Sequence, residues 1–295
     1  MFKYKTSQKV YEIDGLKIGG NSFEIPPVLI ASIFYHGHKV FINEQKGSFN
    51  RDTALQLIES IKYASTKTGL PFLLDVVINS PDASENLITF SIDAVKGPLI
   101  IDSPGSEVTK AAMKVIKELG VSNRVIFNSI TEKTKDEEYQ ALQDAGVKAT
   151  IALLYTNRFL EHGARLKALD NILSKAPSYG IEKFLVDTFI LDLPSLSVAI
   201  KTIIEVKSRY GLPAGAAAHN AVSVQAKGFK QRFGVDGYRS MEIASNAAVI
   251  TAGANFILCG PIESCIYVYP AIYTIYTSFK YSLSRSKEEL LINIF

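Results

Sequence analysis

Five polar side chains stand at the ends of apolar runs: Asp102 in PLIID, Asn128 in RVIFNSI, Asp187 in KFLVDT, and His219 and Asn220 after PAGAAA. Ser129 follows Asn128 directly, and Asp75 lies within FLLDVVI, which runs out near Asn79. Carboxylates and carboxamides gathered at one place make a hydrogen-bonding set with few strong bases and no obvious nucleophile. Such a set suits a flat heterocycle. A pterin-like or guanine-like edge offers a ring N–H beside an amino group, which a carboxylate accepts as a pair while a carboxamide serves the neighbouring oxygen and nitrogen. Gly215 and the alanines of PAGAAAH are expected to leave room for a ring against the backbone. Each residue alone has a structural alternative. Asp102 could cap a helix beginning near Ser106, Asn128 could serve a turn, and His219 could be a satisfied histidine near the core.

Other chemistries leave weaker traces. His36-Gly-His38 after the first apolar run is how a barrel metallohydrolase could begin a zinc site, but the further ligands it needs are missing. A loop ordering the site is the plainer reading, with His38 and His219 as candidate mouth residues, and no metal is expected. Lys183 starts its run, the wrong end for a Schiff-base lysine. Cys259 and Cys265 fit neither a CxxC redox pair nor a four-cysteine zinc site, and both are expected as reduced thiols in a cytoplasmic protein.

The elements that must position these groups follow from periodicity. Apolar runs start at Val28, Phe72, Pro98, Arg124, Thr150, Lys183, Pro213 and Asn255, after a hairpin with its turn at Gly15. Helical periods lie between them. Ala54, Leu57, Ile58, Ile61 and Ala64 recur three and four apart, and Gly69 supplies the stop, as Gly120, Gly146, Gly180, Gly211 and Gly253 do for later helices. Eight such units in 295 residues predict a (β/α)8 barrel, read as one domain over 1–295. A doubly wound sheet is the competitor, but no GxGxxG stands at a strand-to-helix turn. The mouth of a barrel lies where its strands end, so the polar residues above are predicted to converge there.

Charge narrows the partners. Lys plus Arg number 32 against 29 Asp plus Glu, and this net +3 is too small to build a nucleic-acid surface. Lys227, Lys230, Arg232 and Arg239 are either a solvated helix face or a contact for an acidic ligand tail. The tyrosine-rich IYVYPAIYTIYTSFKY reaches Lys280 too soon to span a bilayer and is expected as a buried helix, with Ile272, Ile275, Tyr276, Phe279 and Leu283 packing on the barrel or a second copy.

Several blocks, in order, resemble one family: FKYKTSQKVYEIDGLKIGG, SIFYHGHKV, LLDVV, LIIDS, VIFNSI, IEKFLVDT, YGLPAGAAAHNAVS and GANFILCGPIES. The chain resembles the MtrH component of tetrahydromethanopterin S-methyltransferase and its relatives, the pterin-dependent corrinoid methyltransferases. That resemblance implies a pterin-binding TIM barrel of the dihydropteroate synthase-like type. It implies methyl transfer between N5 of methyl-tetrahydromethanopterin, or of methyl-tetrahydrofolate in a stand-alone relative, and Co(I) of a corrinoid. By the same resemblance, Asp102, Asn128 and Asp187 hold the pterin edge and Asn220 meets N5. A dihydropteroate synthase itself should present a basic residue where this chain has Asn220. No DxHxxG is present to hold the cobamide, so the resemblance places it on a partner protein. It also implies a homodimer, attached peripherally to a membrane methyltransferase complex. Ser103-Pro104-Gly105 after Asp102 departs from the family pattern.

Overall fold

The computed structural model describes residues 2–285 and the strand Ile292–Asn293; the remainder of the predicted 1–295 unit lies outside the described residues. Eight parallel strands close into a barrel in sequence order: β1 (Val28–Ile33), β2 (Phe72–Val77), β3 (Leu99–Asp102), β4 (Val125–Ile130), β5 (Ala149–Leu153), β6 (Lys183–Asp187), β7 (Ala214–Ala216) and β8 (Phe256–Pro261). Each strand begins at or within one residue of a predicted apolar run. The strands are apolar on both faces because one face fills the barrel and the other meets a helix. The (β/α)8 prediction is therefore correct.

Outside the strands run α1 (Arg51–Thr68), α2 (Ser84–Ala94), α3 (Ser106–Leu119), α4 (Asp136–Ala145), α5 (His162–Lys175), α6 (Leu193–Tyr210), α7 (Ala226–Thr251, broken at Gly234) and α8 (Ile262–Arg285). In α1 the Asn50 side chain accepts from the Thr53 amide and Gly69, at φ 68°, ends the helix. Ala54, Ile58 and Ile61 are buried against the barrel, as their spacing predicts.

The lower end of the barrel is plugged. The hairpin Val10–Ile13 with Leu16–Gly19 inserts Ile13 and Ile18 among Val28, Leu73, Ile100, Ile126 and Leu185 of the barrel interior. Lys183 donates to the Glu12 carbonyl at this end, away from the mouth. Both cysteines are free and buried.

Helix α8 corrects one expectation. Only one of its faces is buried, on Cys265, Val268, Tyr269, Ile272 and Tyr276, whereas Tyr267, Tyr273 and Tyr281 are exposed. Ile275, Phe279 and Leu283 pack on the chain's own core, with Phe279 stacked on Phe23 at 4.5 Å. Among the described residues no helix is long and apolar enough to cross a membrane.

Candidate functional site

The carboxyl ends of the strands open on a cavity of about 320 Å3. Asp75, Asp102, Asn128, Ser129, Asp187, His219 and Asn220 all line it. A larger groove of about 820 Å3 lies between α1 and α8 on the outer wall, lined mainly by Leu55, Tyr63, Ile266 and Pro270, and holds no such convergence.

Asp75 comes from β2, Asp102 from the end of β3 and Asn128 from β4, strands that neighbour one another in the barrel. The Asn128 amide Nδ2 donates to Asp102 Oδ2 at 3.2 Å and stands 3.5 Å from Asp75 Oδ1, bridging the two carboxyls. Ser32 Oγ, from β1, donates to the other Asp75 oxygen at 2.7 Å. Burial pushes Asp75 up to about 6, against its hydrogen bonds from Ser32 and Asn128. Burial, and then the charge of Asp75, hold Asp102 well above the usual carboxylate range. Two carboxyls placed in this way do not both ionise near neutrality, so the pair retains a proton until donors arrive to solvate it. Asp102 is no helix cap, since Gly105 occupies that position.

Across the mouth Asp187 is 4% exposed, and burial raises it to about 6 against the amide of Phe189 and the guanidinium of Arg165. The Phe189 N–H donates to Asp187 Oδ1 at 2.8 Å. Phe189 adopts φ 64°, the left-handed region that costs a residue with a Cβ, and it too lines the cavity. Asn220 opens the single helical turn Asn220–Ser223, and its carboxamide forms no hydrogen bond among the described residues. His219 Nδ1 lies 3.1 Å from the Leu258 carbonyl, which only accepts, so this nitrogen carries the proton. Burial lowers its pKa and keeps the ring neutral. Gly260 makes space for that ring: a Cβ there would meet His219 at 2.6 Å.

A sequence profile described as the tetrahydromethanopterin S-methyltransferase MtrH subunit matches residues 6–292. The corresponding component of tetrahydromethanopterin S-methyltransferase from Methanosarcina acetivorans is 34% identical, over 92% of this chain and 90% of that one. Its counterpart from Methanopyrus kandleri is 31% identical, over 92% and 91%. The chain belongs to the MtrH family. A solved dihydropteroate synthase from Yersinia pestis superposes with a TM-score of 0.62 at 15% identity, covering 93% of this chain and 100% of that one. That likeness concerns the fold.

In this MtrH-family chain the histidine pair after β1 does not converge. His36 is exposed and lies 3.0 Å from Glu44, whereas His38 is buried, accepts from the Phe34 amide at Nδ1 and meets Glu263 at 3.0 Å through Nε2. His38 therefore stands apart from the cavity that His219 lines. Among the described residues no group of three or more His, Cys, Asp or Glu is placed to hold a metal. Gly215 also differs from expectation: a Cβ there would strike the Phe256 carbonyl oxygen, so the glycine serves packing between β7 and β8. Ala217 is the small residue that faces the cavity. Lys230 and Arg239 stack on Tyr238 and Tyr267. None of the four predicted tail cations lines the cavity.

Sequence reasoning missed Ser32, Phe189 and Arg165. Ser32 carried a readable signal, a lone hydroxyl in the apolar run VLIASIF. The positive φ of Phe189 and the burial of Arg165, at 0% exposure, carried none.

Proposed function

We propose that the chain is a methyltransferase that moves a methyl group between N5 of a methyl-tetrahydropterin and Co(I) of a corrinoid carried by a partner protein. Its substrate on this reading is methyl-tetrahydromethanopterin, in keeping with the names its relatives bear. The observation that carries the proposal is the linked set Asp75, Asn128 and Asp102 facing Asp187 across one cavity, with the unbonded carboxamide of Asn220 at its lining.

The residues divide the work. Asp102, Asn128 and Asp187 accept from, and donate to, the amino-oxo edge of the pterin, whose N–H groups replace the proton that the buried carboxyls hold without ligand. Asp75, tied by Ser32 and Asn128, orients that edge from behind. Ser129 belongs to the same wall. A methyl on tertiary N5 leaves readily only when that nitrogen is protonated, because the departing group is otherwise an amide-like anion. Asn220 has no acidic proton to give, but its carboxamide oxygen accepts from N5–H⁺ and so favours the activated form. The corrinoid supplies the nucleophile that takes the methyl carbon. Relatives named as one component of a methyltransferase imply further components. On this reading the partners are a corrinoid protein, a second copy of the chain and a membrane-attached complex.

The test is an anaerobic titration with methyl-tetrahydromethanopterin and methyl-tetrahydrofolate, followed by Co(I) cobalamin with the cobalt spectrum recorded. Binding of one pterin followed by methylation of cobalt is the expected result. No binding of either pterin removes the proposal.

A further inference from the structure

Beyond the carboxylate cavity, the loops that leave β4 and β5 wall a second, polar groove of about 350 Å3. Lys133 and Glu132 reach it from the β4 loop, Asn157 and Arg158 from the β5 loop, and Lys167 from α5. Three cations thus face one carboxylate. Arg158 is already paired with Glu161 at 2.6 Å. Lys133 donates to the neutral Asn157 oxygen at 2.9 Å, and neither Lys133 nor Lys167 has a carboxylate partner among the described residues.

The groove and the cavity are joined by aromatic contacts. The Lys133 ammonium lies over the Tyr155 ring at 5.4 Å, and Tyr155 packs edge-on against Phe189 at 5.1 Å. Phe189 lines the carboxylate cavity. Acid pocket, aromatic pair and cationic groove are thus linked by successive side-chain contacts. Arg165 makes this arrangement stiff. Fully buried, it donates from Nε to the Phe159 carbonyl at 2.7 Å and from Nη1 to the Thr188 carbonyl, fastening the β5 loop to the turn that carries Phe189.

Tetrahydropterins that carry one-carbon groups have three parts in the same order: a ring with N–H donors, an arylamine and an arm ending in acid groups. Resting on the function proposed above, we propose that the groove of Lys133, Lys167 and Arg158 is the subsite for the anionic end of that arm, with Tyr155 and Phe189 beneath its aryl ring. The ligand chemistry is an exposed carboxylate or phosphate held by ammonium and guanidinium donors. The basic residues on α7 line neither this groove nor the carboxylate cavity.

Dissociation constants measured by calorimetry for three probes test the assignment: 5,6-dimethyl-tetrahydropterin without an arm, methyl-tetrahydrofolate with carboxylates, and methyl-tetrahydromethanopterin with phosphate and carboxylates. In the double variant Lys133→Ala/Lys167→Ala, armed ligands are expected to bind roughly tenfold more weakly, the worth of a charge-assisted contact, while the armless probe is unaffected. Losses with both armed ligands assign carboxylate recognition, and a loss with the methanopterin alone assigns phosphate. Unchanged affinity for both armed ligands overturns the subsite and leaves the cavity untouched, and an equal loss with the armless probe overturns it by showing that the two substitutions act on the cavity itself. A wild-type protein that fails to bind even the armless probe removes the functional reading beneath it.

Discussion

Burial raises the pKa of three carboxyl groups at this mouth, so a ring N–H that binds a protonated one displaces its proton. Burial raises Asp75 and Asp187 to about 6 and holds Asp102 well above the usual carboxylate range. The charged forms are the ones that accept from a pterin edge, so pterin affinity should rise as pH increases through about 6 and continue upward while the Asp75–Asp102 pair sheds its shared proton. Calorimetry in two buffers of different ionisation enthalpy should register proton release at pH 6; affinity constant from pH 5 to 8 would sink the idea. Asn220 has a separate task. Asn220→Ala should retain most affinity and slow methyl transfer about a hundredfold, the usual cost of losing one aligned hydrogen bond at a developing charge. Asp187→Ala should instead weaken binding roughly 10–100-fold through the lost charged hydrogen bonds. Single-turnover rates and binding constants on both variants separate the two roles, and like effects of the two substitutions would refute them.

At the scale of elements, the strands were legible because each run is apolar on both faces and the helices between them end on glycines that adopt a left-handed conformation, as at Gly69, Gly120 and Gly211. Strand ends then pointed to Asp102, Asn128, Asp187 and Asn220. What stayed hidden depends on neighbours remote in sequence. Arg165 reads as a surface arginine until the β5 loop and the turn after β6 supply its acceptors, and Gly215 reads as room for a ligand until Phe256 is placed beside it. The half-exposed face of α8 was obscured because its tyrosines recur on every side of the helix. The hairpin plug shows how little such an element touches the chemistry. Ile18 is 1% exposed within the barrel interior, so Ile18→Ala should destabilise the fold by about 2–5 kcal/mol through the cavity it leaves, with pterin affinity intact. Urea denaturation beside a binding isotherm checks both halves, and lost affinity in a folded variant would contradict the separation.

Across the whole molecule the two ends of the barrel divide function from stability, and Lys207 marks the stabilising end. It is fully buried on α6, donates to the Gly20 carbonyl at 2.9 Å and to Asn255 Oδ1 at 2.7 Å, and lies over the Tyr4 ring at 5.5 Å. One side chain thereby ties the N-terminal segment to the residue that precedes β8. Gln8 adds a second tie through the Lys207 carbonyl. Burial pulls the Lys207 ammonium down to about 7, with the charge of Glu24 opposing. Because the folded value lies below the unfolded one, this group's contribution is complete above the ordinary lysine pKa and is lost as pH falls through about 7. Between pH 7 and 9.5 the unfolded chain therefore holds one more proton at this site, and stability should climb with a slope approaching about 1.4 kcal/mol per pH unit from this residue. Lys207→Met, which keeps the length and removes the charge, should flatten that rise in urea midpoints while pterin affinity stays as it was. If the slope persisted in the variant, Lys207 would not be its source; if affinity fell as well, the two ends of the barrel would be coupled, and the division between a stabilising base and a chemical mouth would have to be abandoned.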